Sequence, residues 1–527
     1  MRRIILIGSI LVVAIAIALA FWSNSKEKAS SVGPVTLITR LNSDILGTEP
    51  GGSRDENTDT VIMQIGEGLV GLRDDGSVAP LLAESIKVSS DGREYQFKLR
   101  KGVSFHNGAP LTSAEVIWSF ERYLSEESEW RCKSDLSADG LAPISAFKAQ
   151  GTDTVVVTLA KPAPLFLKIL AKVDCHGTAV IHPASLDEAG KWRAPIGTGP
   201  FKFNSWQADR YIELVEFDSY SALNSPATGN VGNKTPLVDK VRFEIIPDST
   251  AARTALQSGE IDLLDGVAPS DVTPLKKTSG VTVVSQPLMD VYALLLQTKD
   301  PVLANPQMRR AIALSIDVQA LARNTTNGTA TANSSMVPVS SPYYKGGHRD
   351  LIRRDIALAK SLAAASGYRG QTIKLATNKR YPQMFDAAVL IQAMAKEAGI
   401  NFEIETFDWA TQFDRYADGD YQAMTFAYSA RLDPTFNCAT VIGRKADEPR
   451  KVWDDPMSQA LLAQSAAATD DESRQMAFDK LNARMRELTP LVVTYNPPHV
   501  IAWRSGISGV KTWPALQQRL WGVSKKP

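Results

Sequence analysis

A short segment near residue 430 carries side chains suited to holding a charged small molecule. Residues 428–434 read YSARLDP and include Tyr428, Arg431 and Asp433. The planar guanidinium of an arginine presents paired donors that match a carboxylate or a phosphate. The segment therefore suggests an anion-binding role for Arg431. The alternative is that Arg431 bridges to Asp433 or lies on the protein surface.

The residue patterns that usually support catalysis do not occur in the sequence. It contains no G-x-S-x-G, H-E-x-x-H, Walker A or C-x-x-C string. Of its five histidines only His176 and His182 lie close together, and their spacing crosses Gly177 and ends before Pro183, which makes a weak metal site. We therefore expect no enzyme, no metal and no cofactor. A hydrolase built from dispersed residues would leave no such string and stays an alternative.

Length and composition indicate a globular protein of more than one domain. A chain of 527 residues exceeds what one hydrophobic core usually organises. Hydrophobic residues make up 44% and charged residues 22% of the chain, and 58 Lys and Arg against 57 Asp and Glu leave a net charge of +1. This balance gives no support for nucleic-acid binding or for a polybasic membrane patch.

The first 33 residues are typical of an export segment followed by a tether. Arg2 and Arg3 precede an apolar run at residues 4–22, and the small residues at 18–20 form a possible cleavage site. The run is also long enough to span a bilayer, so a cleaved signal peptide and a retained anchor both stay open. No cysteine precedes Cys132. We therefore expect a periplasmic protein, exported by the Sec route, that is not a lipoprotein.

Three cysteines leave one pairing question open. Cys132 and Cys175 are able to form a disulfide in an oxidising compartment, or to remain buried thiols. Cys438 is expected to be a small buried apolar residue. Sequence spacing alone does not decide between these states.

Periodic patterns predict a mixed α/β fold. Residues 95–99 alternate between apolar and polar side chains, and Thr112 with Glu115 forms the pattern of a capping box at a helix start. Strand and helix patterns then alternate at residues 241–264 and again at 372–406. Such βαβ-like units favour mixed sheets covered by helices.

Five separate strings of the sequence resemble the bacterial extracellular solute-binding proteins of family 5, which serve peptide, nickel and related ABC importers. They occur in the order and spacing of that family and extend over most of the chain. The strings are KVSSDGREYQFKLRKGVSFHNGAPLTSAEVIWSFERY at 87–123, GTGPFKFNSW at 197–206, TALQSGEIDLLDG at 254–266, NPQMRRAIALSIDVQAL at 305–321 and SLAAASGY at 361–368.

The resemblance implies an α/β, two-lobed periplasmic binding protein fold, a class II-like clamp with an extra subdomain inserted in lobe one. Residues 34–55, 195–290 and 497–527 would form lobe one, residues 56–194 the inserted subdomain, and residues 291–496 lobe two. Ligands of such folds bind between the lobes, and hinge motion closes the lobes over them.

The resemblance also suggests which side chains face the ligand. In the dipeptide- and oligopeptide-binding branches an aspartate three residues before the final Asp-Pro pair holds the α-amino group of the peptide, but here Ala430 occupies that position. Arg131 falls near the position at which the nickel-binding branch has an arginine that holds the carboxylates of a chelator. The alternative is that Arg131 is a solvent-exposed surface residue. Each aromatic candidate has core packing as its alternative. The candidate ligand-binding residues are Arg431, Tyr428, Trp409, Tyr292, Tyr381 and Arg131.

The resulting hypothesis is the substrate-binding component of an ABC importer. It would capture a peptide or peptide-like small solute and deliver it, as a monomer, to a permease in the inner membrane. Nickel or metal-chelate binding and opine-like solute binding on the same scaffold are the alternatives, and a hydrolase or a chaperone-like surface protein is a further one.

Overall fold

The computed structural model describes residues 34–52, 55–138, 140–176 and 178–526. The predicted export segment at residues 1–33 lies outside this part of the chain. Across the described residues, none of the helices combines the length and the apolar character that crossing a bilayer requires.

The strands are numbered β1 to β21 in chain order. They are Thr36–Leu41, Val70–Leu72, Val78–Pro80, Ala83–Val88, Glu94–Leu99, Ile144–Ala149, Thr154–Leu159, Phe201–Gln207, Tyr211–Glu216, Lys240–Ile245, Leu263–Asp265, Val281–Pro287, Val291–Leu296, Thr331–Ala332, Ile373–Asn378, Phe402–Phe407, Ala423–Tyr428, Leu491–Asn496, Pro498–Arg504, Ile507–Ser508 and Ser524–Lys525.

The helices of the described residues are numbered α1 to α14 in the same way. They are Glu56–Ile62, Ser113–Leu124, Lys133–Leu136, Phe166–Leu170, Ser249–Ser258, Pro269–Lys276, Pro306–Ser315, Val318–Thr325, Ile356–Ala365, Pro382–Glu397, Trp409–Asp418, Pro434–Val441, Pro456–Ala467 and Asp471–Leu488. Short 3-10 turns lie at Val173–Cys175, Pro183–Ser185 and Gly346–Arg349.

Two large mixed sheets form the two lobes of a clamp. The seven-stranded sheet has the order β12-β19-β11-β1-β10-β9-β8, and the six-stranded sheet has the order β14-β18-β13-β17-β15-β16. β1 is parallel to β10 and β11, and β15 is parallel to β16 and β17, whereas the other neighbours are antiparallel. We call the first sheet with its helices lobe one and the second lobe two. The predicted α/β clamp is confirmed.

The chain passes between the two lobes through two very short connections. β12 of lobe one leads to β13 of lobe two through residues 288–290, and β18 returns to β19 through Pro497. The side chain of Asn496 donates a hydrogen bond of 2.6 Å to the backbone carbonyl of Asp290, which ties one connection to the other. This pair of connections places Asp290 at the junction of the lobes.

A third sheet, β4-β5-β7-β6, has its own apolar core. We call residues 69–180, which supply most of that core, the four-stranded unit. Its β5 contains the strand predicted at residues 95–99, and α2 begins after Thr112 with the predicted capping box. That cap satisfies amide groups that a helix start leaves without partners. The subdomain and lobe boundaries given above stay a prediction.

Cys132 and Cys175 form a disulfide, which the spacing alone had left open. The bond lies in the core of the four-stranded unit and joins the start of α3 to the 3-10 turn at Val173–Cys175. Cys438 is a buried free thiol in lobe two, and burial raises its pKa to about 12. The disulfide therefore fixes the two segments that carry Arg131 and Asp174.

Candidate functional site: the junction of the two lobes

Aromatic rings line lobe two close to its junction with lobe one. Tyr292, the second residue of β13, stacks on Tyr495 at a centroid distance of 4.8 Å. Tyr381, at the start of α10, packs edge-on against Trp409 at 4.9 Å and is 36% exposed. Burial, together with the charges of Tyr495, Asp290, Tyr381 and Glu56, raises the pKa of Tyr292 well above its usual range. Tyr292 is thus half-buried and stacked, while Tyr381 keeps part of its ring exposed.

Tyr428 occupies a different environment from the other aromatic candidates. Its ring is 6% exposed and packs against Phe426 and Tyr416 in the core beneath β17. β13 pairs Val291 with Tyr428, so Tyr428 and Tyr292 point to opposite faces of the sheet. A ligand contact by Tyr428 stays a prediction, and its packing is that of a core residue.

Asp290 supplies a buried carboxyl at the junction. Its residue surface is 6% exposed. Burial raises its pKa to about 7, although the Ala430 backbone amide, which donates to the carboxyl, and the charges of Arg431 and His499 act in the opposite direction. The carboxyl thus lies beside residue 430, where the resemblance would have placed an aspartate. Asp290 is therefore a carboxyl from another part of the chain that lies near residue 430.

Glu56 brings a second carboxyl toward the same place from the start of α1. The residue is exposed to solvent on the surface of the protein. Surrounding protein nevertheless desolvates the carboxyl, and this burial, with the charges of Asp290, Asp265, Asp59 and Asp55, raises its pKa well above the usual range.

The cations around the junction are already paired with other carboxylates. Arg131 pairs with Asp59, and the Nε2 atom of His176 lies 2.7 Å from the same carboxylate. The Nη1 atom of Arg431 lies 3.4 Å from Asp174 and also donates to the Ala430 carbonyl at 3.1 Å.

His499 pairs with Asp265 in the same way. Among the described residues, no lysine, arginine or histidine forms an ion pair with Glu56 or Asp290.

The structure places the six sequence candidates in different surroundings. Tyr381 contacts Trp409, which also stacks on Phe426, and Tyr292 stacks on Tyr495. Arg431 and Arg131 are paired with Asp174 and Asp59, and Tyr428 lies in the core of lobe two. Their roles in binding a ligand stay predictions.

Sequence reasoning did not select Glu56, Asp290 or Asp174. Asp290 was the most detectable of these, because it is a lone carboxylate in the apolar run from 288 to 291.

Ser335, His348 and Asp479 are joined by hydrogen bonds in the same order as the residues of a hydrolase triad. The Oγ atom of Ser335 lies 2.7 Å from Nδ1 of His348, whose Nε2 lies 3.1 Å from Asp479. The hydroxyl is at the buried end, since Ser335 is 1% exposed while the side chain of Asp479 is 53% exposed. A nucleophile must reach its substrate, so this chain of groups stabilises the loop at 333–348 rather than attacking a bond.

Comparison with known proteins identifies the family of this chain. The family model described as "Bacterial extracellular solute-binding proteins, family 5 Middle" matches residues 77–447. The chain is 26% identical, over 481 residues, to the "Probable di/tripeptide-binding protein 5" of Pseudomonas aeruginosa, a match that covers 86% of this chain and 88% of that protein.

Two solved structures show the same fold. The binding protein AgaA, in complex with agropinic acid, from A. tumefacien R10 has a TM-score of 0.77 and 25% identity, covering 93% of this chain and 99% of that one. NikA from Brucella suis, in complex with Fe(III)-EDTA, has a TM-score of 0.82 and 21% identity, covering 93% and 100%. Both proteins bind solutes, and the matches extend over nearly all of each chain. The chain belongs to the bacterial extracellular solute-binding proteins of family 5.

Proposed function

We propose that this chain is the substrate-binding component of an ABC importer and that it captures a peptide or peptide-like small solute carrying a protonated amine. The observation that carries the proposal is the carboxyl pair of Asp290 and Glu56 at the junction of the lobes. Neither pairs with a described cationic side chain, and the carboxyl of Asp290 is buried, whereas Glu56 is exposed to solvent. A desolvated carboxylate without a cation is costly, so an ammonium group from a ligand would relieve that cost.

The aromatic rings beside the carboxyl pair support the same ligand class. Tyr292 lies two residues from Asp290 in the chain and Tyr381 is 36% exposed, and aromatic rings attract a cation held over them. The relative from Pseudomonas aeruginosa is named as a di/tripeptide-binding protein, which is the same ligand class. The proposal extends to a monomer that delivers its solute to an ABC permease in the inner membrane.

Calorimetry with matched peptides tests the proposal. The protein is freed of bound solute and titrated with a panel of dipeptides, each as the free amine and as the N-acetylated form. We expect one intact peptide per chain, with the acetylated partner binding at least about 30-fold more weakly, which corresponds to about 2 kcal/mol. Equal binding of both forms contradicts the amine. Turnover of the peptides would indicate a hydrolase.

An opine-like solute is a second candidate, favoured by one observation. The side chain of Arg431 is 23% exposed and lies near Asp290. The carboxylate of an opine-like conjugate would pair with Arg431, and its amine would pair with Asp290. The relative AgaA was solved with agropinic acid. Native mass spectrometry of protein purified from its own periplasm separates the two candidates by the mass of the bound solute.

A further inference from the structure

The four-stranded unit and lobe two are in contact along a surface that we call the seam. Its residues are distant in sequence from the two connections between the lobes at residues 288–290 and Pro497. On one side are α4 and the 3-10 turn that follows it, with Lys168 and Asp174. On the other is the segment that leads into α12, with Arg431 and Asp433. The Nζ atom of Lys168 lies 2.5 Å from Oδ2 of Asp433, and Arg431 lies 3.4 Å from Asp174. Two ion pairs therefore cross the seam.

Asp433 keeps a cationic partner whether or not it contacts Lys168. It is 2% exposed, and Nη2 of Arg474, on α14 of the same lobe, lies 2.6 and 2.8 Å from its two oxygens. Its Oδ1 atom also accepts the backbone N–H of Thr435 at 2.9 Å, which caps α12. The side chain of Lys168 is 24% exposed and would return to water if the seam opened. Neither partner would become a buried, unpaired charge.

Phe436 adds an apolar contact to the same seam. It belongs to α12 of lobe two, but its ring is 7% exposed and packs in the core of the four-stranded unit. The Nζ atom of Lys172 lies 5.3 Å from the centre of the ring. The closed seam leaves a cavity of only about 20 Å³. Separation of the lobes would expose Phe436, which disfavours opening.

We propose that this seam is a latch that holds the clamp closed without ligand contact, with Phe436 and the Lys168–Asp433 pair as its positioning residues. A latch of this kind sets affinity through the closed fraction of the protein. The apparent dissociation constant equals the intrinsic constant divided by the fraction able to bind. The inference rests on solute capture between the lobes and does not depend on which solute is bound.

Small-angle X-ray scattering of the ligand-free protein tests the latch. Native mass spectrometry first confirms that no solute is bound. The variants are Lys168→Ala and Phe436→Ala, each expected to give a larger radius of gyration than the unmodified protein. The matched control is Lys374→Ala, which removes an ion pair of 2.8 Å with Glu405 inside lobe two and should leave the radius unchanged.

Thermal unfolding, followed by circular dichroism, accompanies the scattering. If Phe436→Ala fails to fold, the Lys168→Ala variant still tests the latch. Lys168 is partly exposed, and its replacement leaves the Asp433–Arg474 pair intact. An unchanged radius for a folded Lys168→Ala variant overturns the latch, as does an unmodified protein that is already as open as the variants. A failure of amine binding would leave these measurements unaffected, so the two proposals are tested separately.

Discussion

Arg431 of lobe two lies 3.4 Å from Asp174 of the four-stranded unit, and this ion pair joins two parts of the chain that the clamp brings together. Burial opposes ionisation of Asp174, but the charges of Lys172, Arg431 and Arg131 outweigh it and hold the pKa of the carboxyl at about 2. Arg431 therefore has a protein partner in the closed arrangement. A ligand anion would have to share the guanidinium with Asp174 or displace it.

The anion-binding role of Arg431 is tested by two matched variants. If a ligand anion binds this side chain in the closed site, Arg431→Ala should weaken binding by about 2 to 5 kcal/mol. Asp174→Asn keeps Arg431 and removes its competitor, so it should retain or strengthen binding. Calorimetry with the natural solute measures both. A change of less than about threefold, or about 0.7 kcal/mol, on Arg431→Ala would rule out the role.

The buried carboxyl of Asp290 should make the protein less stable as the pH rises. An unfolded aspartate has a pKa near 4, whereas that of folded Asp290 is raised to about 7. The folded state therefore holds an extra proton between these values. Its stabilising effect is complete below about pH 4 and is lost as the pH rises through 7.

We expect Asp290→Asn to remove a decline of at most about 4 kcal/mol in the free energy of unfolding between pH 4 and 8. Urea unfolding of both proteins at several pH values measures it. Asp300→Asn is a suitable control, because Asp300 is a partly exposed aspartate elsewhere in lobe two. Identical pH profiles for Asp290→Asn and the unmodified protein would contradict the prediction.

Binding of an amine should depend on pH in the opposite direction. Below about pH 7 Asp290 retains its proton, and a ligand ammonium has to expel that proton to gain the charge pair. Affinity should therefore rise from pH 5 to about pH 7, by no more than about tenfold per pH unit for one proton. Calorimetry in two buffers of different ionisation enthalpy should show proton release. Affinity that is constant from pH 5 to 8 is the result that would count against the amine site.

Removal of the disulfide should destabilise the four-stranded unit. The bond closes a loop of 43 residues, and the chain-entropy relation gives about 4 kcal/mol for a loop of this length. The double variant Cys132→Ser/Cys175→Ser should lose roughly that amount in denaturant unfolding, with Cys438→Ser as the control for loss of a buried sulfur. Equal stability of the double variant and the unmodified protein would show that the bond adds no constraint.

Local sequence patterns predicted individual elements well. The alternation at 95–99 and the Thr112–Glu115 capping box depend on neighbours within a few residues, and both are present in the structure. The aromatic candidates were harder to place, because a tyrosine in a strand faces either of two environments. Tyr292 and Tyr428 belong to neighbouring strands of one sheet, yet only the pairing register puts them on opposite faces.

The sequence by itself determined the fold class, the family and the elements that carry the candidate residues, because these follow from short-range periodicity and from strings that stand in a fixed order. Only the tertiary structure decided which charges meet. Asp290 lies beside Ala430, and Lys168 lies against Asp433, across long separations in sequence. Such pairings are set by the packing of whole lobes, and no local pattern in the chain encodes the distance between two side chains on different lobes.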